Sequence, residues 1–147
     1  MWLYQNKEIH SLEDLPQTFG FVYRVIHEPT GKIYIGKKVL QFTRKAKLTK
    51  KDLAVYEGEK GRKPSYKHVI SESDWKTYYG SNKEIVAMLK EGKHDEFKRE
   101  ILHLAPSKKL LTYHETKYLF IYSVLEKPEE FFNDNILGKF FRKDFAD

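Results

Sequence analysis

At 147 residues, with 40% hydrophobic and 15% aromatic residues, the chain has the length of one domain and the composition of a folded one. It contains no cysteine, which excludes disulfide frameworks, zinc ribbons and thiol catalysis. Its formal net charge of +6 favours a polyanionic partner, because neutralising phosphates releases counterions and drives binding.

Residues 1–19 read as a lead-in packed on the domain. Trp2-Leu3-Tyr4 has the composition of an edge strand, Gln5-Asn6-Lys7 of a turn, and Ser11 to Pro16 of a capped turn closed by proline. Phe21 to Lys37 then sets two runs of Val, Ile, Phe and Tyr about Glu28-Pro29-Thr30-Gly31, which predicts a β-hairpin. Side chains two apart on a strand share a face, so Phe21 lies with Tyr23, and Tyr34 with Gly36. Leu40, Arg44 and Lys47 have the spacing of a helical face. Leu53 to Ser73, with Gly58, Gly61, Pro64 and serines among charges, reads as a loop within a basic insertion at about 45–73.

Ser81 or Asn82 is placed to cap a helix reaching Lys90, with Ile85, Met88 and Leu89 at helical spacing and Gly92 beyond its end. Phe97 to Leu104 alternates as a third strand, with Phe97, Arg99, Ile101 and His103 on one side. Ser107 to about Leu125 is the longest helix candidate, and Glu115 lies four residues from Leu111 and from Leu119 beside its apolar stripe. A basic tail over 139–147 follows. The expected fold is a small α+β domain with an antiparallel three-stranded sheet, an N-terminal edge strand and flanking helices. No apolar run approaches a membrane span and no leader pattern opens the chain, so a soluble intracellular protein without a membrane partner is expected.

Positive charge is concentrated where the hairpin ends. Lys38, Lys45, Lys47, Lys50, Lys51, Arg62, Lys63 and Lys67, interleaved with Tyr56 and Tyr66, suit a contact that follows a nucleic-acid backbone. A solvated basic loop is the plain alternative for any one of them. No Gly-rich phosphate loop, helical histidine pair or Gly-x-Ser-x-Gly elbow is present.

Several positions, in order, resemble the GIY-YIG nuclease family. Phe21-Val22-Tyr23 stands where the family has Gly-Ile-Tyr, and Tyr34-Ile35-Gly36 is its second half unchanged, with ten residues between the two tyrosines. Arg44, ten residues after Tyr34, matches the family's catalytic arginine. Glu115 in His114-Glu115-Thr116-Lys117-Tyr118 matches its metal-binding glutamate, and Phe131-Phe132-Asn133 its aromatic-aromatic-Asn motif, with Asn135 as the alternative asparagine. Tyr34-Ile35-Gly36-Lys37-Lys38, Glu72 to Trp75 with Tyr79-Gly80-Ser81, and Phe97 to Leu102 resemble small phage-borne members related to homing endonucleases. The resemblance spans about residues 20–138. Two departures stand out. Phe21 replaces a glycine, and Leu48 stands where homing members carry a histidine, for which His68 in the insertion is the candidate replacement.

The resemblance implies a magnesium-dependent DNA endonuclease, manganese substituting, that leaves 5′-phosphate and 3′-hydroxyl ends. Tyr34 is then the expected general base and Tyr23 a positioning or phosphate-bonding group. Arg44 binds the phosphate, Glu115 the metal, Asn133 orients the substrate or braces the site, and Lys37 is a further basic candidate. One carboxylate suits a cation that keeps most of its waters, and an arginine fork suits a phosphate. The expected setting is the cytoplasm, of an infected host cell if the chain is phage-encoded. The alternative function is a catalytically degenerate nucleic-acid-binding module; a protein-interaction role for the basic surface is the third reading. Homing members attach a DNA-reading domain, and only about ten residues follow Asn135 here. Sequence choice is therefore expected from the insertion and tail, from a homodimer or a separate targeting partner, or to be low.

Overall fold

The computed structural model describes residues 1–55 and 66–145. The chain divides into two units, Met1–Leu40 with Asp74–Asp147, and Gln41–Ser73.

The first unit is built on a five-stranded sheet of β1 (Trp2–Tyr4), β2 (Lys7–Ile9), β3 (Gly20–His27), β4 (Lys32–Val39) and β7 (Phe97–Ala105). Their order across the sheet is β2-β1-β7-β3-β4. The β3–β4 hairpin forms as its composition dictates. Gly31 takes φ +74° in the connecting turn, and its N–H donates to the His27 carbonyl at 2.7 Å. In register, Tyr23 faces Gly36 and Val25 faces Tyr34.

The N-terminal lead-in enters the sheet rather than packing on it. Gln5 and Asn6 both have positive φ, the geometry of a two-residue hairpin turn, and they join β1 to β2. β1 is not an edge strand. It lies between β2 and β7, and its pairing with β7 is parallel, Leu3 against Glu100 and Tyr4 against Ile101. The sheet is thus mixed and has five strands where three were expected. Burial of Trp2 explains the placement: its side chain is fully enclosed and its indole N–H donates to the Trp75 carbonyl at 2.7 Å.

β7 pairs antiparallel with β3 and carries a bulge. Val22 faces His103 but Tyr23 faces Ile101, so Leu102 is the extra residue. The alternation slips there by one. Phe97, Ile101 and Leu104 pack in the core with Tyr23 and Trp75, while Leu102 and Ala105 pack in the other core with Val22 and Leu111. His103 therefore does not share a face with Phe97, Arg99 and Ile101; its ring lies 3.9 Å from that of His114 on the long helix.

Two helices cover the two faces. α2 (Lys83–Lys90) is capped by Asn82, whose side chain accepts from the N–H groups of Glu84 and Ile85, and it buries Ile85 against the Tyr23 face. α3 (Lys108–Ile121) is capped by Ser107 and buries Leu111 and Leu119 against Val22 and Ile35 on the opposite face. It stops short of Leu125 because Ser123 turns to φ +53°. The chain then passes through Phe131–Asn133 to a small ribbon, β8 (Asn135–Ile136) and β9 (Phe140–Phe141).

The second unit pairs β5 (Gln41–Lys47) antiparallel with β6 (Tyr66–Glu72), and α1 (Lys50–Val55) lies between them in sequence. Gln41–Lys47 is thus a strand where Leu40, Arg44 and Lys47 were expected on a helical face, and the end of the expected loop is a strand. Thr49 and Asp52 cap α1 reciprocally, the Asp52 N–H donating to the Thr49 hydroxyl and the Thr49 N–H to the Asp52 carboxylate. No helix among the described residues is long and apolar enough to cross a membrane.

Candidate active site

The two tyrosines meet over the outer strand of the sheet. Tyr23 on β3 is buried at 1% exposure, with Trp2, Phe21, Tyr34 and Tyr78 around its ring. Its phenol crosses the position of Gly36 in β4. A Cβ at Gly36 would stand 2.5 Å from the Tyr23 hydroxyl and 3.1 Å from Cε1 of Tyr34. A second glycine closes the slot from above. Gly80 has φ +98°, and a Cβ there would meet Tyr34 Cε1 at 2.9 Å and the Tyr23 hydroxyl at 3.2 Å. The phenols therefore lie between two backbones, at positions where any side chain would displace them.

Both phenols hold their protons more tightly than usual. Burial foremost, then the charges of Tyr34, Tyr78 and Glu115, push Tyr23 well above the ordinary tyrosine value. Burial also raises Tyr34, and the Ser81 hydroxyl opposes that rise by hydrogen bonding to the phenolate. Tyr34 is the less enclosed of the two. It lines a cavity of about 400 Å³ with Ser81, Lys83, Asp134, Asn135 and Arg142.

Glu115 comes from the other side of the sheet, on α3 between the buried Leu111 and Leu119. Burial raises its carboxyl above the usual range, and the neighbouring Lys37 draws it back. Lys37 runs along the α3 face of β4, its Nζ donating to Thr112 Oγ1 at 2.9 Å. The glutamate is near enough to raise both phenols electrostatically. Tyr23 and Tyr34 thus lie over Gly36 on one face of β4, while Lys37 and Glu115 lie on the α3 face.

Asn133 is buried and both ends of its amide are bonded. Oδ1 accepts from the Ile35 N–H at 3.0 Å and Nδ2 donates to the Ile35 carbonyl at 2.8 Å. It imitates a neighbouring strand, continuing the pairing in which Phe132 N–H donates to the Ile33 carbonyl at 2.8 Å. Of the two roles expected of Asn133, bracing is the one its bonds serve. Asn135 holds a turn, accepting from the Gly138 N–H at 3.1 Å and donating to Asp134 at 2.8 Å.

Arg44 and His68 belong to the second unit. Arg44 on β5 donates from Nε to Ser71 Oγ at 3.4 Å. His68 pairs with Lys45 across the ribbon while Arg44 pairs with Val69, so Arg44 and His68 project from opposite faces of it. Lys45 stands over the Tyr66 ring at 4.3 Å, and Lys67 is paired with Asp52 at 2.7 Å. Lys47, Lys50 and Lys51 are exposed. Arg62 and Lys63 lie outside the described residues. In the first unit, Lys38 is paired with Asp74 and covers the Tyr78 ring at 4.0 Å, so its charge is already partnered.

Sequence reasoning passed over the roles of Gly80, Ser81 and Tyr78, although Tyr-Gly-Ser after an aromatic run was the available signal. Arg142 had no signal at all; only the fold brings it beside Phe131 and Asn133.

Among curated proteins and among solved structures, nothing matches the chain. A family model does: the GIY-YIG domain of the putative endonuclease segE matches residues 2–136, a span that takes in the glycine slot, both tyrosines, Glu115 and Asn133. With nearly its whole length matched, the chain belongs to this GIY-YIG endonuclease family.

Proposed function

We propose that the chain is a metal-dependent DNA endonuclease that hydrolyses phosphodiester bonds to 5′-phosphate and 3′-hydroxyl ends. One observation carries the reading: two phenols confined by Gly36 and Gly80, within electrostatic reach of a half-buried carboxylate on the neighbouring helix. Tyr34 is the proposed general base: once its own proton has passed to solvent, its phenolate oxygen takes a proton from the attacking water, and the Ser81 hydroxyl stabilises that phenolate. Tyr23 is too enclosed to meet a DNA strand, and its proposed part is to hold Tyr34 in the slot. Arg44 is the proposed phosphate ligand, on its match to the family's arginine.

Among the described residues no three His, Cys, Asp or Glu side chains gather. Glu115 alone fits a hard cation of the magnesium type, which binds through one or two carboxylates and keeps its remaining waters; manganese is the proposed substitute. When bound, such a cation supplies positive charge for the phosphoryl oxygens and the leaving group. Burial has already lifted the energy of the Glu115 carboxylate, which favours its taking a cation. The net charge of +6 supports a DNA substrate. A phage-borne enzyme of homing, DNA-degrading or restriction-like type, acting in the cytoplasm of an infected cell, is the setting the resemblance favours.

Incubating purified protein with supercoiled plasmid and magnesium, beside Glu115→Ala, tests the proposal. Wild type should nick or linearise the plasmid, chelation should stop it, and Glu115→Ala should be inactive. Equal cleavage by both proteins would sink the metal assignment, and binding without cleavage would favour the degenerate module.

A further inference from the structure

We propose that Arg142, beyond the family-matched span, is a positioning residue for Tyr34 and acts through the segment Phe131–Asn133. This rests on the reading of Tyr34 as the base.

The segment is a strap along the outer edge of β4. The Ile33 N–H donates to the Glu130 carbonyl at 2.9 Å, the Phe132 N–H donates to the Ile33 carbonyl, and the Asn133 side chain closes on both backbone groups of Ile35. Ile33 and Ile35 flank Tyr34, so the strap holds the backbone on each side of the phenol-bearing residue. It also holds the lid of the slot. Asn82 donates from Nδ2 to the Phe132 carbonyl at 3.1 Å, and Asn82 follows directly on Gly80 and Ser81.

Among the described residues, no strand pairs beyond this three-residue strap to fix its outward carbonyls. Arg142 supplies what a strand would. Its Nη2 donates to the Phe131 carbonyl at 2.7 Å and to the Asn133 carbonyl at 2.5 Å, and its backbone N–H donates to the Asp134 carbonyl at 2.9 Å. One guanidinium thus ties both ends of the strap, with two carbonyls two residues apart on one edge. Its Nε is buried without a partner, so the guanidinium is committed to these carbonyls at the expense of a donor left unsatisfied. Both bonds leave the same Nη2, whose two hydrogens are fixed in the guanidinium plane; an ammonium would offer its hydrogens as a freely turning point donor.

Three variants test this: Arg142→Ala, Arg142→Lys and Arg142→Gln. In Arg142→Ala, single-turnover cleavage at saturating DNA should fall by about 10- to 100-fold, the scale of a small misplacement of a reacting group. DNA affinity measured without divalent cation should stay within about twofold, since no phosphate contact is removed. Arg142→Lys should recover part of the cleavage rate and Arg142→Gln little. The rising limb of the pH–rate profile, which reports loss of the proton from the base, should move in Arg142→Ala, because the Ser81 donor and Tyr34 no longer hold register. Amide exchange at Ile33, Ile35 and Phe132 should quicken in Arg142→Ala. Loss of affinity with cleavage at saturation unchanged would make Arg142 a phosphate ligand and overturn the proposal. Unchanged exchange at those three amides would overturn it as well. If wild type does not cleave DNA, the endonuclease reading fails by itself, and exchange still decides whether Arg142 holds the strap. Should Arg142→Ala not fold, the lysine and glutamine variants carry the comparison.

Discussion

Replacing Gly36 by alanine puts a methyl group in place of a hydrogen at the point where the two phenols lie over the sheet. That Cβ would lie 2.5 Å from the Tyr23 hydroxyl and 2.7 Å from its Cζ, where ordinary contact begins at 3.4 Å. Tyr23 must therefore retreat by about 0.9 Å, into a ring of Trp2, Phe21 and Tyr78 that leaves it 1% exposed. Overpacking of this kind costs about 1–3 kcal/mol. A shift of that size at a reacting group lowers the chemical step on the order of 100-fold. Gly92→Ala is the matched control. Gly92 has φ +79° and nothing within 4 Å of its added Cβ, so the change costs only backbone strain, about 1 kcal/mol. Urea denaturation should show comparable losses of stability in the two variants. Single-turnover plasmid cleavage, corrected for the folded fraction, should fall only in Gly36→Ala. Cleavage by Gly36→Ala at the wild-type rate would refute the placement of the chemistry at the Tyr23–Tyr34 slot.

Three further outcomes follow from the same geometry. Asn133→Ala leaves the buried N–H and carbonyl of Ile35 unpaired, each at a cost of about 1–3 kcal/mol; chemical denaturation should register a loss of about 2–4 kcal/mol, and an unchanged midpoint would show that the asparagine braces nothing. Tyr23 has a folded-state pKa raised above its unfolded value of about 10, so its contribution is complete below that pH and is lost as the pH climbs towards the folded value. Melting temperature should therefore drop less steeply above about pH 10 in Tyr23→Phe than in wild type. Glu115 is also raised, from 4.5, so its stabilisation is present below that value and lost as the pH rises through the folded pKa. Glu115→Gln should melt higher than wild type at pH 7, the difference should close at about pH 4, and cleavage should disappear; a lower melting temperature at pH 7 would show that the carboxylate is stabilised by partners after all.

The hairpin, α2 and α3 could be read from the chain because each writes its burial as a period. Ile85 with Met88 and Leu89, and Leu111 with Leu119, repeat at helical spacing beside good caps, and Tyr23 and Tyr34 sit in strands of dense β-branched residues. β5 and β6 leave no such trace. Six of the seven residues of β5 are exposed, so its charged side chains alternate with nothing, and the apolar pattern that identifies a strand is missing. The bulge at Leu102 was equally hidden, because it exchanges one apolar side chain for another and shows only in the register. The site was legible to the extent that its residues are chemically unusual where they stand. Glu115 in an apolar stripe and paired tyrosines in a hairpin are unusual; Ser81, Gly80 and Arg142 are ordinary residues given their parts by tertiary contact.

The parallel pairing of β1 with β7 bears on how the molecule assembles. Tyr4 meets Ile101, and the Trp2 indole meets the Trp75 carbonyl, so the first strand of the chain finds its place only against residues some seventy to a hundred positions later. The β3–β4 hairpin can close on itself within twenty residues, whereas β1 must wait for β7 to be synthesised and docked. Contacts of such long sequence separation are slow to form. Trp2 packs edge-on against Tyr23 at 5.3 Å between ring centres. The tyrosine slot is therefore finished late, by residues that precede the hairpin in sequence, and its phenols stay incompletely packed until β7 has docked.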